Sequence, residues 1–124
     1  MAGPFAYRPG YGLPPAPACD VLVRSAGKTA TLQGLIDTGA SGTTIPLSLV
    51  ALLGLTKAGE VRGSGAYGAE RAVGMFVVDL ELLGLTFSNH PVFESDRTFL
   101  LIGRDILNRY TLLLTGPRLD FEIT

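Results

Sequence analysis

The sequence predicts an all-β fold, and three features carry that expectation. Gly 16 and Pro 8 among 124 residues make up about a fifth of the chain, against an average of about 12%, so it is punctuated too often for long helices. Between those breaks, apolar and polar residues alternate with period two, the spacing of a half-buried strand. Helix signals are confined to residues 46–55 and 106–109.

Residues 1–18 carry Pro4, Pro9, Pro14, Pro15 and Pro17 without periodicity. They read as a proline-rich N-terminal arm, either extended along the surface or flexible, and the domain proper spans 19–124. Pro14 and Pro17 satisfy P-x-x-P, for which a stiff lead-in is the simpler reading than a recognition ligand. From Asp20, Val21 and Val23 alternate with Leu22 and Arg24. Gly27-Lys28 then turns the chain, and Ala30, Leu32, Gly34 and Ile36 alternate with Thr29, Thr31 and Gln33, a hairpin with one buried face. Over 46–55 a helix is expected, with Thr44 upstream as a cap, Pro46 in the first turn and Gly54 near the end. Residues 60–62 and 71–82 form two strands around a glycine-rich tip at Gly63, Gly65 and Gly68; residues 85–93 and 98–102 form two more. Over 106–109 a short helix has Asp105 at its start and Arg109 at its end, where the helix dipole favours each charge. Strands at 110–114 and 119–123, joined by a Gly116-Pro117 turn, close the chain. The last alternates as an unpaired edge strand should. The pentapeptide Leu-Leu-Gly-Leu-Thr occurs at 52–56 and 82–86 in unmatched flanks, which makes no repeat architecture.

Length and charge narrow the function classes. The chain has the length of one domain, with 47% hydrophobic residues for a core, and two-lobed enzymes are excluded. Ten Lys+Arg against 11 Asp+Glu give a net charge of −1, and the pI is about 5.7, so no electrostatic footprint for nucleic acid exists. The single cysteine, Cys19, rules out an internal disulfide. With one histidine, His90, the usual Cys/His zinc sites cannot be assembled in one chain. Apolar runs fall far short of the roughly 18 residues that cross a bilayer, and residues 1–5 lack a secretory pattern. A cytoplasmic protein bound to no membrane is therefore expected.

The sharpest local signal is Leu35-Ile36-Asp37-Thr38-Gly39-Ala40-Ser41. A carboxylate directly after an apolar strand stands half desolvated at the edge of the core, which is costly unless the charge is used. Gly39 removes a side chain where another backbone or a substrate has to approach. A plain turn, with Asp37 and Thr38 bonding local amides, would use the same residues. Further on, Phe99-Leu100-Leu101-Ile102 is an apolar strand that runs into Gly103-Arg104-Asp105 and then Ile106-Leu107, with Gly103 66 positions after Asp37.

Together these motifs resemble the retropepsin-like aspartic proteases, the retroviral enzymes and their bacterial relatives, in order, spacing and flanking strands over residues 21–123. The resemblance implies a retropepsin-like acid protease barrel with a glycine-rich flap hairpin and one short C-terminal helix, working as a homodimer. It implies an aspartic endopeptidase acting on extended polypeptide, with no metal and no organic cofactor. Such chemistry needs two carboxylates sharing one proton, one ionised to activate water and one protonated to polarise the peptide carbonyl. Asp20, Asp79, Asp96, Asp105 and Asp120 are not followed by Thr-Gly or Ser-Gly, so one chain supplies half a site and a two-fold dimer would complete it. By this resemblance Asp37 is the catalytic carboxylate, Thr38 reaches across the dimer axis, and Gly39 lies against substrate. Ala40 and Ser41 complete the active-site loop, while Gly103, Arg104 and Asp105 support it structurally. In the retroviral members an acidic residue four positions after the catalytic Asp pairs with that Arg. Ser41 stands there in this chain, so Arg104 needs another partner.

Other readings compete at several positions. The run 63–68 fits G-x-G-x-x-G, but the dinucleotide fingerprint needs a helix after it and an acidic residue about twenty positions on. Strand-forming Val73, Phe76, Val77 and Val78 follow instead, with Gly74 interrupting any helix. A flap that closes over bound peptide fits better; Tyr67 either lines the site or is an exposed flap aromatic. His90, before Pro91, reads as a surface or turn residue, Cys19 as an inert small one, and Phe76, Phe87, Phe93 and Phe99 as core. Arg62, Arg71 and Arg97 read as solvated rim charges. A dimeric peptide-binding or scaffold module with the same fold and no turnover is the alternative function.

Overall fold

The alternation that begins at Asp20 becomes a hairpin of β2 (Ala18–Ser25) and β3 (Lys28–Ile36), paired in register from Ala18↔Leu35 to Ser25↔Lys28. Its two-residue turn has Ala26 at φ 49° and Gly27 at φ 79°, the paired positive angles of the turn whose twist matches flanking strands. In this computed structural model, which describes residues 3–12, 14–64 and 70–124, the remaining elements are β1 (Phe5–Ala6), β4 (Thr44–Pro46), α1 (Leu47–Leu53), β5 (Gly59–Ser64), β6 (Glu70–Leu82), β7 (Leu85–Ser95), β8 (Leu100–Ile102), α2 (Arg104–Leu107), β9 (Leu112–Thr115) and β10 (Asp120–Ile123), with a 3-10 turn at Gly116–Arg118.

The larger sheet runs β2-β3-β8-β4-β7-β6-β5, and β6 also pairs with β2, so six strands close into a barrel. β6 does this by changing partners along its length. Glu70–Met75 lie against β5, whereas Asp79–Leu82 lie against β2. A register shift against β7 between Val78 and Leu80 bends the strand there, as a bulge does, and Asp79 accepts a hydrogen bond from the Asn89 amide at 2.8 Å. Val21, Val23, Ile45, Leu80, Leu100, Ile102 and Ile106 fill the interior without exposure. The architecture is mostly β, as the pattern predicts, and it closes into the barrel that the resemblance implies.

Several local expectations are corrected. Thr44 does not cap the first helix: it lies in β4, with its hydroxyl buried and unpartnered. Pro46 is the extended N-cap residue rather than part of the first turn, while Gly54 does end α1 in the left-handed conformation. The second helix starts two residues earlier than expected, at Arg104, with Gly103 as its N-cap, and ends at Leu107.

The segment 119–123 is not an unpaired edge. β10 is the central strand of a second, three-stranded sheet, β1-β10-β9, with Phe121 and Ile123 buried. Alternation showed that one face was covered, but not which flanks were paired. The arm is laid down rather than loose. Phe5 pairs with Phe121, the Phe5 and Tyr7 rings lie 5.5 Å and 6.3 Å from the Phe121 ring, and Tyr11 donates a hydrogen bond to Gln33 at 2.8 Å.

Candidate active site

β3 and β8 run parallel, with Gly34, Leu35 and Ile36 opposite Leu100, Leu101 and Ile102, and β8 meets β4 on its other side at Thr44↔Leu101. A chain leaving β3 must therefore cross the end of β8 to enter β4. Residues 37–43 make that crossing, and Asp37 is the first of them. Its amide donates to the Ile102 carbonyl at 3.0 Å, which extends the ladder by one rung and fixes Asp37 to the sheet. Period two puts its side chain on the face opposite buried Ile36, and the residue is half-buried. One carboxylate oxygen accepts the Gly39 amide at 2.9 Å, and the Ala40 amide closes a turn onto the Asp37 carbonyl at 3.2 Å. The catalytic reading and the plain-turn reading thus share one geometry: a local turn that holds a carboxylate outward.

The second motif grips this loop from beneath. The Arg104 guanidinium donates to the Thr38 carbonyl at 2.9 Å, and the Arg104 amide donates to the Ala40 carbonyl at 2.9 Å. Arg104 thus finds in the loop backbone the partner that Ser41 cannot provide. A Cβ on Gly103 would lie 2.6 Å from the Gly42 carbonyl carbon and oxygen, so only glycine lets the two backbones approach this closely. Thr38, Gly39 and Ser41 are exposed and Ala40 is half-buried.

Asp105 is the hub. Its carboxylate accepts the Thr43 hydroxyl at 2.8 Å, the Thr43 amide at 3.1 Å and its neighbour Ile106's amide at 3.0 Å. His90 Nε2 lies 2.9 Å from the same group. Burial pushes this carboxyl up, but the hydrogen bonds from His90 and from the Thr43 amide and hydroxyl outweigh burial, and the group is held below its ordinary range. His90 is therefore no surface or turn residue: it lies within β7 and is buried. Its partner stands 15 residues away in sequence, which no local pattern reveals. Thr43 was missed for the same reason; its one legible signal was a threonine between the loop glycine and an apolar strand.

Gly63 lies in the β5–β6 hairpin, opposite Arg71. Gly65, Tyr67 and Gly68 lie outside the described residues. Burial pushes the Cys19 thiol up to about 12, so it stays protonated and unreactive. Two hollows of about 270 and 260 Å³ are lined by residues around α1 and by the arm with Gln33 and Phe99, away from Asp37. Among the described residues no group of three His, Cys, Asp or Glu side chains could hold a metal ion, and no helix is long and apolar enough to cross a membrane.

Comparison with known proteins gives one family and one fold. The sequence pattern of the aspartyl protease family matches residues 18–106. A retropepsin-like aspartic protease from Rickettsia conorii superposes with a TM-score of 0.64 at 16% identity, covering 99% of this chain and 90% of that one. The EIAV protease in complex with an inhibitor gives 0.59 at 22% identity, covering 81% and 92%. The foamy viral protease-reverse transcriptase gives 0.61 at 21%, covering 79% of this chain and 12% of that one. No curated protein matches the sequence.

Proposed function

The chain belongs to the aspartyl protease family, and from that premise we propose that it is an endopeptidase whose catalytic pair is Asp37 from each of two identical chains. The observation that carries the proposal is the outward, half-buried Asp37 carboxylate at the crossing from β3 to β4. Of the five other aspartates, Asp96 is exposed in the bend between β7 and β8, and the remaining four are engaged elsewhere. Asp20 pairs with Arg8, Asp79 holds the Asn89 amide, Asp105 holds Thr43 and His90, and Asp120 faces Arg118.

In the dimer the two Asp37 groups share one proton, because like charges that close cannot both ionise. The ionised member takes a proton from the water between them as that water adds to the scissile carbonyl. The protonated member gives its proton to the carbonyl oxygen, and collapse of the adduct expels the amine with a proton from the pair. Thr38 braces the two loops across the axis, and Gly39 offers backbone hydrogen bonds to an extended polypeptide. The β5–β6 hairpin, which carries Gly63, closes over the substrate as a flap.

Cleavage of an unfolded polypeptide between pH 4 and 7, blocked by a statine inhibitor, is expected of the wild type, with a loss of at least about 10³-fold in Asp37→Asn. An unchanged rate in that variant removes the assignment. Mixing equal amounts of wild type and Asp37→Asn, with exchange of subunits, leaves about a quarter of the activity per site if the pair spans two chains. Half would remain if each chain worked alone.

A further inference from the structure

Among the described residues the buried polar side chains are Thr43, 0% exposed, and His90, 5% exposed. Both serve the same carboxylate, Asp105. Thr43 closes the loop that Asp37 opens, and every polar atom it has is used: its amide and hydroxyl donate to Asp105, its hydroxyl accepts the Gly103 amide at 3.2 Å, and its carbonyl accepts the Phe93 amide at 3.0 Å. A residue buried this completely has no water to fall back on, so the loop end stands where Asp105 puts it. Asp105 in turn has one oxygen held by the Thr43 hydroxyl and the Ile106 amide, and the other by the Thr43 amide and His90. His90 comes from β7, outside both motifs. Its ring packs edge-on against Phe87 at 5.9 Å, and the Arg109 guanidinium covers Phe87 at 5.6 Å. The ring is thus a fixed post.

We propose, resting on the protease reading above, that His90 is a positioning residue for the catalytic loop. Its Nε2–H holds Asp105 in the place from which Asp105 anchors Thr43, and that anchor sets where the loop presents Asp37. The carboxylate is an acceptor, so the nitrogen facing it carries the proton. Without that donor the second oxygen of Asp105 keeps only Thr43, the very group it has to hold. Apart from Thr43, the carboxylate is then held by the Ile106 amide alone, on its other oxygen, and any turn it makes carries the loop end with it. Displacements of about 1 Å in a reacting group cost about 10²-fold in rate, so the effect belongs in kcat.

Two substitutions separate the hydrogen bond from the packing. His90→Leu fills the buried space without a donor, and His90→Gln supplies an amide donor to the same oxygen. The expected result for His90→Leu is exchange of the Thr43 and Gly103 amide hydrogens at least about tenfold faster than in wild type, with Val21 and Val23 in β2 within about twofold. Its kcat falls at least about tenfold while KM stays within about twofold, and His90→Gln recovers most of both losses. Unchanged Thr43 exchange in folded His90→Leu overturns the proposal, as does a folded Gln variant no better than the Leu one. Should His90→Leu not fold, the Gln variant decides alone: wild-type exchange and kcat support the role, and fast Thr43 exchange overturns it. A wild type that cleaves nothing defeats the protease reading, and the exchange measurement still decides the anchor. Cleavage with kcat unchanged in His90→Leu defeats the positioning role and leaves the protease standing.

Discussion

A methyl group at position 103 has nowhere to go, since it would meet Gly42 backbone at 2.6 Å. Neither segment can yield cheaply, because both are pinned by the Arg104 hydrogen bonds to Thr38 and Ala40. Gly103→Ala is expected to cost about 1–3 kcal/mol by overpacking and to depress cleavage beyond what its lower melting temperature explains. A denaturant curve together with a rate at a temperature where the variant is fully folded checks this. Asp105 sets a pH dependence of a definite sign. Its carboxyl is held below the ordinary value in the folded chain, so the unfolded chain takes up its proton first as pH falls. The stability it lends is complete above the ordinary carboxylate range, about 3.9, and is lost as pH falls through the lowered folded value. Urea midpoints should therefore show Asp105→Asn less stable than wild type at pH 7, with the gap narrowing towards pH 3. A gap independent of pH would contradict this.

The elements differ in how openly the sequence announced them. β2 and β3 were legible because the alternation that begins at Asp20 leaves one register that buries Val21, Val23 and Ile36. β4 was not, because three residues cannot show a period, and its Pro46 belongs equally to the start of a helix. The loop 37–41 and the motif at 103–105 were legible as residue types in order, whereas the Asp105–Thr43–His90 cluster joins three segments that only the fold brings together. The terminal sheet was the least legible, since its pairings link the start of the chain to its end. It also carries a test. The Phe5 ring packs tilted against Phe121 at 5.5 Å and is half-buried, so Phe5→Ala should cost about 1–2 kcal/mol by thermal or urea unfolding. No measurable loss would mean that β1 is only draped there. Truncation before residue 119 would remove Phe121 and Ile123 from the core and so unfold the domain rather than merely dissociate a dimer.

At the scale of the whole molecule, the proposed pairing of two Asp37 groups needs a second copy, and one strand edge is open to receive it. β9 has one flank on β10 and its other flank open among the described strands, and Leu113 and Leu114 are 52% and 49% exposed. Leu113 lies opposite Glu122, on the face away from Phe121. A lysine there should be neutral or favourable to the lone chain while discouraging strand addition. Leu113→Lys is therefore expected to keep the melting temperature of a dilute sample and to shift the concentration at which activity appears upward, by about tenfold or more if the edge adds about 1.4 kcal/mol to association. Identical dilution curves for the two proteins would place the contact elsewhere. The pairing of β1 with β10 has one more outcome, this time in the order of events during synthesis. The ribosome delivers β1 long before its hydrogen-bonding neighbour β10 exists, so this small sheet can assemble only after residues 120–123 emerge. Whatever contact between copies relies on that sheet must wait as well.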